Sequence, residues 1–311
     1  MIVLMSLHQL ADLMDVLATE TWSKVDRAYR IRMSMSEVTI SQHNLLSLEE
    51  LNVMLAYQIR IEEVTQNAER RLGADFEIWL KCGDGRGLGF SIQAKRVRLG
   101  GRDYTYPELY HRGEKVPELQ YDTLLRHAQK VNSVAMHLFY NGWDESDPTK
   151  PYFATSNSAR PSSRLYGCAA IPTIKMKAIR EAGQRMNNKV KAFEPFTFPW
   201  SDLLRASPSP PAGAAPGSAG SHPASSMSGS PLAPQAGPSY PTGSGAGAAS
   251  SSSQFDAEVE ALAEQMRPHT EDRASMLADK LPDYVEKTQR QGLNLPQDPR
   301  LPHYVLIIQA G

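Results

Sequence analysis

Apolar residues recur at helical spacing through the first fifty positions. Residues 6–31 place leucine and methionine three and four apart, which predicts an amphipathic helix. Ser36 can cap a second helix that runs from Glu37 to about Asn52. Residues 53–64 instead alternate apolar and polar side chains, as strands do. The chain therefore opens with two predicted helices followed by a strand.

The next pattern predicts a β-hairpin. Asp75–Leu80 and Leu88–Val97 are strand-like, and the glycine-rich segment Cys82–Gly87 lies between them. A phosphate-binding loop is the alternative interpretation of these glycines. The segment lacks the Lys-Ser/Thr pair of a P-loop and leads into a strand rather than a helix, so we interpret it as a turn. Residues 67–72 predict a charged turn or short helix before the hairpin.

The pattern then returns to a helix at Gln120–Val131 and a buried strand at Val134–Tyr140. A connection of this length between strands suggests a crossover onto a sheet. Further along, residues 255–265 and 271–281 look helical, and Tyr304–Ile308 is a compact apolar strand. A lone terminal strand needs a sheet to satisfy its backbone, and the earlier sheet is the natural one.

Composition divides the chain into three parts. Residues 206–253 are almost entirely Ser, Pro, Gly and Ala, without Asp, Glu, Lys or Arg, and predict a disordered linker or insert. Residues 1–205 then form an α/β domain, and residues 254–311 supply helices and a strand that pack back on it. The predicted order of the core is helix, strand, strand, strand, helix, strand.

The overall composition is that of a globular chain of 311 residues with a formal net charge of −1. Residues 1–205 are mildly basic, which permits nucleic-acid binding without arguing for it. Cys82 and Cys168 are too few for a disulfide framework or a zinc site. The apolar start lacks the features of a signal peptide, and no stretch is long enough for a membrane span. These features predict a cytoplasmic protein that does not associate with membranes.

Three polar residues of the hairpin carry the candidate chemistry. Gln93 and Lys95 lie two apart on one strand and therefore share a face. Antiparallel pairing through the turn brings Asp75, at the start of the other strand, close to both. Carboxylate and amide oxygens suit Mg²⁺ or Mn²⁺, and a lysine beside them can orient a water and offset the charge of a phosphate. Such a set is suited to phosphodiester hydrolysis.

Asp75 followed by Gln93-Ala94-Lys95 resembles the signature of the PD-(D/E)xK nuclease superfamily, in its Mrr-like variant with Gln for the second acid. The resemblance implies a restriction-endonuclease-like core, with a central mixed sheet of four to five strands flanked by helices. It implies metal ligation by Asp75, Gln93, the carbonyl of Ala94 and Glu37, catalysis by the same side chains with Lys95, and support from Gln120.

The wider pattern also resembles an uncharacterised bacterial family of this type. The segments that carry this likeness extend over most of the chain, at residues 37–40, 73–77, 92–96, 120–122, 139–141, 167–168, 199–200, 282–285 and 304–305. They continue beyond the linker, which makes the low-complexity stretch an insertion within one domain.

Several candidates keep a second interpretation. Glu37 could be a first-turn acid stabilised by the helix dipole, and Gln120 could cap its helix. Other carboxylates could take the place of Glu37 or support the site, namely Glu62, Glu63, Glu69 and Glu77. Surrounding arginines could follow a phosphate backbone or form an ordinary solvated surface, namely Arg96, Arg98, Arg102, Arg112 and Arg126. His127 and His137 are interpreted as structural because no partnered nucleophile is visible.

The sequence supports three functional hypotheses. The first is a Mg²⁺-dependent nuclease that acts on nucleic acid, with DNA the expected substrate and bacterial defence a role implied by the Mrr-like resemblance alone. The second is a catalytically inactive nuclease fold that binds nucleic acid or protein. The third is an interaction protein that recruits partners through its linker and acidic C-terminal part.

Overall fold

The structure is a computed structural model that describes most of the chain outside the low-complexity stretch. The described residues are 6–52, 59–63, 72–100, 103–107, 109, 119–151, 153, 162–182, 188–205, 251–270, 275–286 and 304–309. Residues 206–250, which make up nearly all of the predicted linker, lie outside them. Most of the turn or short helix predicted at 67–72 lies outside them as well.

Two helices open the chain where apolar periodicity predicts them. Helix α1 covers Leu7–Arg30, and Ser6 caps it in a reciprocal capping box with Gln9. Helix α2 covers Glu37–Asn52, and the hydroxyl of Ser36 accepts a hydrogen bond from the backbone N–H of Thr39 at 3.0 Å. Both starts agree with the cap residues because each side chain satisfies a backbone donor that the helix leaves unpaired.

The remaining elements follow in chain order. The strands are β1 (Ile59–Glu63), β2 (Phe76–Lys81), β3 (Gly87–Arg96), β4 (Arg98–Gly100), β5 (Asp103–Thr105), β6 (Ser133–Tyr140), β7 (Cys168–Pro172), β8 (Phe198–Pro199) and β9 (Tyr304–Gln309). The further helices are α3 (Gln120–Val131), α4 (Thr173–Ala182), α5 (Val190–Phe193) and α6 (Ser251–Met266). Short 3₁₀ turns at Ser163–Gly167, Glu194–Phe196, Trp200–Leu204 and Arg267–His269 connect them.

Within the described residues, seven strands form one mixed sheet in the order β1-β9-β2-β3-β6-β7-β8. Strand β3 is antiparallel to β2 and parallel to β6, and α3 makes the crossover between β3 and β6. The predicted α/β class, with a mixed sheet flanked by helices, is confirmed. The sheet is wider than four to five strands because β7 and β8 extend it beyond β6, while β9 lies between β1 and β2.

The C-terminal strand lies inside the sheet. Strand β9 pairs antiparallel with β1 on one side and parallel with β2 on the other. Burial of its side chains at Val305–Ile308 explains why this segment is continuously apolar. Residues on both sides of the low-complexity stretch therefore belong to one sheet.

Two expectations for the C-terminal part need correction. Helix α6 begins at Ser251, so the last three residues of the predicted linker are helical, in keeping with the preference for serine at helix starts. The helix predicted at 271–281 is wrong for its described residues, 275–281. Ala278 instead exchanges two backbone hydrogen bonds with Gly87, at 2.9 and 3.1 Å, and this bridge holds the segment extended along the hairpin.

The two faces of the sheet have different chemistry. Alternate residues such as Ile78, Phe90 and Met136 belong to the hydrophobic core that also contains apolar side chains of α1, α2 and α6. The opposite face, covered by α3, carries the polar residues of the hairpin, and we call it the α3 face. No helix in the described part of the chain is long and apolar enough to cross a membrane.

Candidate active site

The hairpin register places Asp75 beside Gln93. Phe76 pairs with Ile92, so the residue before β2 lies next to the residue after Ile92. The amide nitrogen of Gln93 lies 3.4 and 3.5 Å from the two carboxylate oxygens of Asp75. The same carboxylate accepts a much shorter bond, 2.6 Å, from the backbone N–H of Ala94. Asp75 is 8% exposed and Gln93 is fully buried.

Glu37 contacts the same edge of β3 from the start of α2. Its Oε1 accepts a hydrogen bond from the backbone N–H of Arg96 at 3.2 Å. Backbone groups of alternate strand residues point to the same side, so the N–H groups of Ala94 and Arg96 both point to the side of β3 on which β2 lies. They lie beyond Phe76, the first residue of β2, and therefore have no strand partner there. Asp75 and Glu37 fill that place, and the two N–H groups they bind are roughly 7 Å apart.

The environment of Tyr140 also reflects both carboxylates. Burial raises the pKa of this hydroxyl well above its ordinary value, and the negative charges of Asp75 and Glu37 are among the groups that raise it further. The hydroxyl lies 2.7 Å from that of Ser41, which is on α2. Tyr140 therefore lies within electrostatic reach of both acids.

Lys95 lies on the α3 face and contacts the first residue of α3. Its ammonium donates a hydrogen bond to Oε1 of Gln120 at 3.2 Å. Lys95 is 7% exposed, and Gln120 is partly buried. An ammonium has three donors, so this bond can orient the group without using all of them.

The side-chain oxygen of Gln93 is buried, and within the described residues it has no hydrogen-bond partner. Buried acceptors are nearly always satisfied, so this one requires an explanation. The amide presents its nitrogen to Asp75, and a half-turn of the amide would present its oxygen instead. In that orientation the amide oxygen and the carboxylate of Asp75 would be two oxygen ligands of the kind that Mg²⁺ prefers.

The oxygen ligands that could hold a metal ion at this site carry little negative charge. Within the described part of the chain, no group of three or more His, Cys, Asp or Glu side chains is arranged to hold a metal ion. The candidate site has two carboxylates, Asp75 and Glu37, and its other donors are the amide of Gln93 and the carbonyl of Ala94. Neutral oxygen donors still suit Mg²⁺, which favours oxygen ligands and retains several waters.

Glu77 lies on the α3 face as expected, but other groups occupy its carboxylate. It accepts hydrogen bonds from Trp79 Nε1 at 2.9 Å, Ser91 Oγ at 3.1 Å and the Tyr284 hydroxyl at 2.6 Å, and it pairs with His127 Nε2 at 2.6 Å. Burial by itself would raise the pKa of Glu77, but the bonds and charge of these partners hold the pKa below its ordinary value. This cluster ties the hairpin to α3 and to the C-terminal segment.

His137 is the β6 neighbour of Gln93. Its Nδ1 lies 2.9 Å from the hydroxyl of Thr173, and the side chain is fully buried. Burial, with the positive charge of Lys95 as a second cause, lowers the pKa of His137 to about 3. The imidazole is therefore neutral near pH 7 and forms part of the support for the polar face.

The other predicted candidates are scattered. Glu69, Arg102 and Arg112 lie outside the described residues, as do the side chains of Glu62 and Glu63 in β1. Arg96 is buried and donates to the hydroxyl of Ser34 at 3.4 Å, whereas Arg98 and Arg126 are exposed. Cys82 and Cys168 are free buried thiols, and burial raises the pKa of each to about 12.

Helix α4 brings basic residues that the sequence analysis did not assign. Lys177 pairs with Asp122 at 2.8 Å, and Arg180 contacts the hydroxyl of Tyr121. Both partners follow Gln120 directly, so α4 brings positive charge to the start of α3, where Gln120 contacts Lys95. The signal was present as three basic residues within one short helical segment, namely Lys175, Lys177 and Arg180.

A comparison with protein-family models matches residues 10–310 to a family of unknown function, DUF6615. A comparison with curated proteins finds no match. The family match covers both sides of the low-complexity stretch, in agreement with the single sheet that both sides form.

Proposed function

For this chain, which belongs to the DUF6615 family of unknown function, we propose metal-dependent hydrolysis of phosphodiester bonds in nucleic acid, with DNA as the expected substrate. The observation that carries the proposal is the side chain of Gln93, whose amide nitrogen faces the carboxylate of Asp75 and whose buried oxygen has no hydrogen-bond partner among the described residues. A folded protein loses roughly 1–3 kcal/mol by leaving such an acceptor unsatisfied, and a cation held with Asp75 would bind that oxygen once the amide has rotated by half a turn.

The residues proposed to hold Mg²⁺ or Mn²⁺ are Asp75, Gln93, Glu37 and the backbone carbonyl of Ala94. The carbonyl of Ala94 points to the same side of β3 as the N–H that Asp75 binds, because both backbone groups of a strand residue share a direction. When bound, the cation would polarise a phosphoryl oxygen and make its bound water more acidic.

Lys95 supplies the positive charge next to this donor set. Gln120 holds its ammonium in place, and the remaining donors can bind a phosphate oxygen and the attacking water. The water oxygen forms the new bond to phosphorus and gives up a proton to the solvent, the bond to the leaving sugar oxygen breaks, and the leaving oxygen takes up a proton from the solvent. Lys95 favours this step by orienting the water and by balancing the extra negative charge on the phosphate.

Two further supports come from the sequence. Asp75 with Gln93-Ala94-Lys95 resembles the Mrr-like PD-(D/E)xK signature. The elements α2, β1, β2, β3, α3 and β6 follow in the order that the resemblance implies, with the short strands β4 and β5 between β3 and α3. Defence against foreign DNA in a bacterium follows from that resemblance and is proposed on that basis alone. A cytoplasmic location is proposed because DNA and reduced thiols are both found there.

A second candidate function is a nuclease-like module that binds nucleic acid or protein without cutting. The observation that favours it is the low charge of the donor set, in which the amide of Gln93 stands where an acid would bind metal more strongly. Salt-sensitive binding of DNA without cleavage would support this candidate.

A cleavage assay tests the proposal. Purified protein is incubated with plasmid, linear duplex, single-stranded DNA and RNA in Mg²⁺ or Mn²⁺, and the Asp75→Asn and Lys95→Ala variants are compared with wild type. We expect wild type to cut at least one substrate and both variants to be at least about 100-fold slower, because each loses a group that acts on the reacting phosphate. Asp84→Asn and Lys130→Ala are matched controls, since both residues are exposed and lie at the far ends of the same hairpin and of α3. Absence of cleavage by wild type, or equal cleavage by all variants, contradicts the proposal.

A further inference from the structure

Exposed apolar side chains gather at one place beside the candidate site. Ile31 and Met33, in the loop after α1, are 58% and 62% exposed, and Leu99 of β4 is 39% exposed. The end of α1 and β4 are in contact, because the backbone N–H of Leu99 donates to the hydroxyl of Tyr29, two residues before Ile31. Large apolar side chains grouped on a surface commonly mark an interaction site.

Two arginines belong to the same surface. Arg32 lies between Ile31 and Met33, Arg98 precedes Leu99, and both are exposed. We call these five residues the loop rim: Ile31, Arg32, Met33, Arg98 and Leu99. The loop itself, residues 31–36, contains one arginine and neither Asp nor Glu, so it carries a positive charge.

The loop rim lies next to the candidate metal ligands. The loop continues to Ser34, whose hydroxyl accepts from the guanidinium of Arg96, and then to Glu37, which accepts from the backbone of Arg96. Arg96 directly follows Lys95. Glu37 is four positions after Met33, so the Cα atoms of these two residues are at most roughly 14 Å apart.

Arginines interspersed with exposed aliphatic side chains complement a nucleic acid. Guanidinium groups bind backbone phosphates, and aliphatic side chains such as Ile, Leu and Met contact bases or insert at a base step and kink the duplex. An acidic protein partner would match the charge, but it would not explain why the surface adjoins a site for phosphodiester chemistry.

We propose that the loop rim binds duplex DNA beside the bond to be cut, with Ile31 and Met33 against the bases of a widened step and Arg32 and Arg98 on the phosphates. This inference rests on the proposed function, since the occupant is the substrate of that site. The inference adds a mode of binding to the proposed function, in which aliphatic side chains unstack one base step of the duplex.

The test uses the full chain with Ile31 and Met33 both changed to serine. The matched control changes Val16 and Leu46 to serine; these residues are 53% and 60% exposed on α1 and α2, away from the loop rim. Duplex affinity is measured by fluorescence anisotropy in Ca²⁺, and unstacking by 2-aminopurine placed in the duplex. Hydrolysis of duplex and of the small diester bis(p-nitrophenyl) phosphate is measured in Mn²⁺.

We expect the rim variant to bind duplex at least tenfold more weakly than wild type and to lose the 2-aminopurine signal, while the control matches wild type. Hydrolysis of the small diester should be unchanged in both, because it needs no contact with bases. Equal duplex binding and equal 2-aminopurine signal in all three proteins would overturn the proposal and assign this surface to another partner.

The two proposals fail separately. If wild type hydrolyses neither substrate, the nuclease function is contradicted, and the binding and unstacking measurements still decide whether the loop rim contacts DNA. If wild type hydrolyses both substrates and the rim variant equals the control in every measurement, the nuclease function stands and the loop rim proposal is wrong.

Discussion

Two buried acids on the α3 face differ in how their surroundings satisfy them. Glu77 is fully buried, and four neighbouring groups hold its carboxylate, so it is suited to a structural role. Asp75 lies against an amide whose oxygen has no partner among the described residues. An incompletely satisfied polar pair costs stability, and such pairs are found where function requires them. Glu77 is therefore assigned a structural role, and Asp75 is the acid that we propose for the metal site.

His137 makes stability depend on pH. Its folded pKa is about 3, compared with 6.5 in the unfolded chain, so the unfolded state takes up the proton first as pH falls. Neutral His137 makes its full contribution to the free energy of unfolding above pH 6.5, and this contribution is lost as the pH falls towards 3. Between pH 6 and 4, we expect the unfolding free energy of His137→Asn to fall less steeply than that of wild type. The two slopes should differ by about 1.4 kcal/mol per pH unit. Urea unfolding at several pH values measures this, with exposed His8→Asn as the control; parallel curves for wild type and His137→Asn would contradict it.

At the residue scale, the sequence predicts contacts that a single hairpin determines. Asp75 and Gln93 are 18 residues apart, and strand alternation with one turn is enough to place them together. The contact between Tyr284 and Glu77 spans 207 residues and depends on the path of the C-terminal segment, which no local pattern records. Glu37 is intermediate, because the family resemblance names it but only the fold shows its bond to Arg96.

At the element scale, close packing of α1 against the turn before β7 is a condition for the fold. A Cβ added to Gly167 would lie 1.9 Å from the carbonyl oxygen of Ala18 and 2.8 Å from the backbone nitrogen of Trp22. Both atoms belong to the backbone of α1, which cannot move aside as a side chain can. Gly167 therefore allows the helix to lie directly on the chain that enters β7.

Gly167→Ala should destabilise the protein by about 3 kcal/mol, because α1 must shift to admit the methyl group. Equilibrium urea unfolding measures the loss. Gly83→Ala is the control, since its Cβ would meet only a side-chain oxygen of Asp256, at 3.3 Å. A Gly167→Ala variant as stable as wild type would show that α1 is packed more loosely than the structure indicates.

Elements with a strong period or a cap could be predicted, and those defined by tertiary contacts could not. Helix α3 covers Gln120–Val131, the range that its apolar face predicts. Strand β7 is only Cys168–Pro172, with two alanines, and has little strand signal of its own. The apolar spacing in 271–281 looked helical, but the described residues follow the hairpin through the bridge between Ala278 and Gly87.

At the scale of the whole molecule, the sheet requires both sides of the low-complexity stretch. Strand β9 has β1 and β2 as neighbours, and Tyr284 binds Glu77 behind the hairpin. Without β9, the facing edges of β1 and β2 would lose their backbone partners, which is costly for buried strands.

If the backbone is cleaved within residues 211–250, the two fragments should therefore remain associated under native conditions. A protease site placed there allows cleavage of the purified protein, and we expect the two fragments to co-elute in gel filtration and to unfold in one transition. Fragments that separate without denaturant would contradict the central position of β9.

The proposed function depends on a metal site at Asp75 and Gln93, and electron paramagnetic resonance measures the binding of Mn²⁺ to it. We predict that wild type binds Mn²⁺, in the presence of duplex DNA if not alone, and that Asp75→Asn weakens binding at least tenfold while Asp84→Asn does not. Asp84 is the matched control because it lies on the turn at the other end of the hairpin. Equal Mn²⁺ binding by wild type and Asp75→Asn, or no binding by wild type in either condition, would contradict a metal site at Asp75 and Gln93.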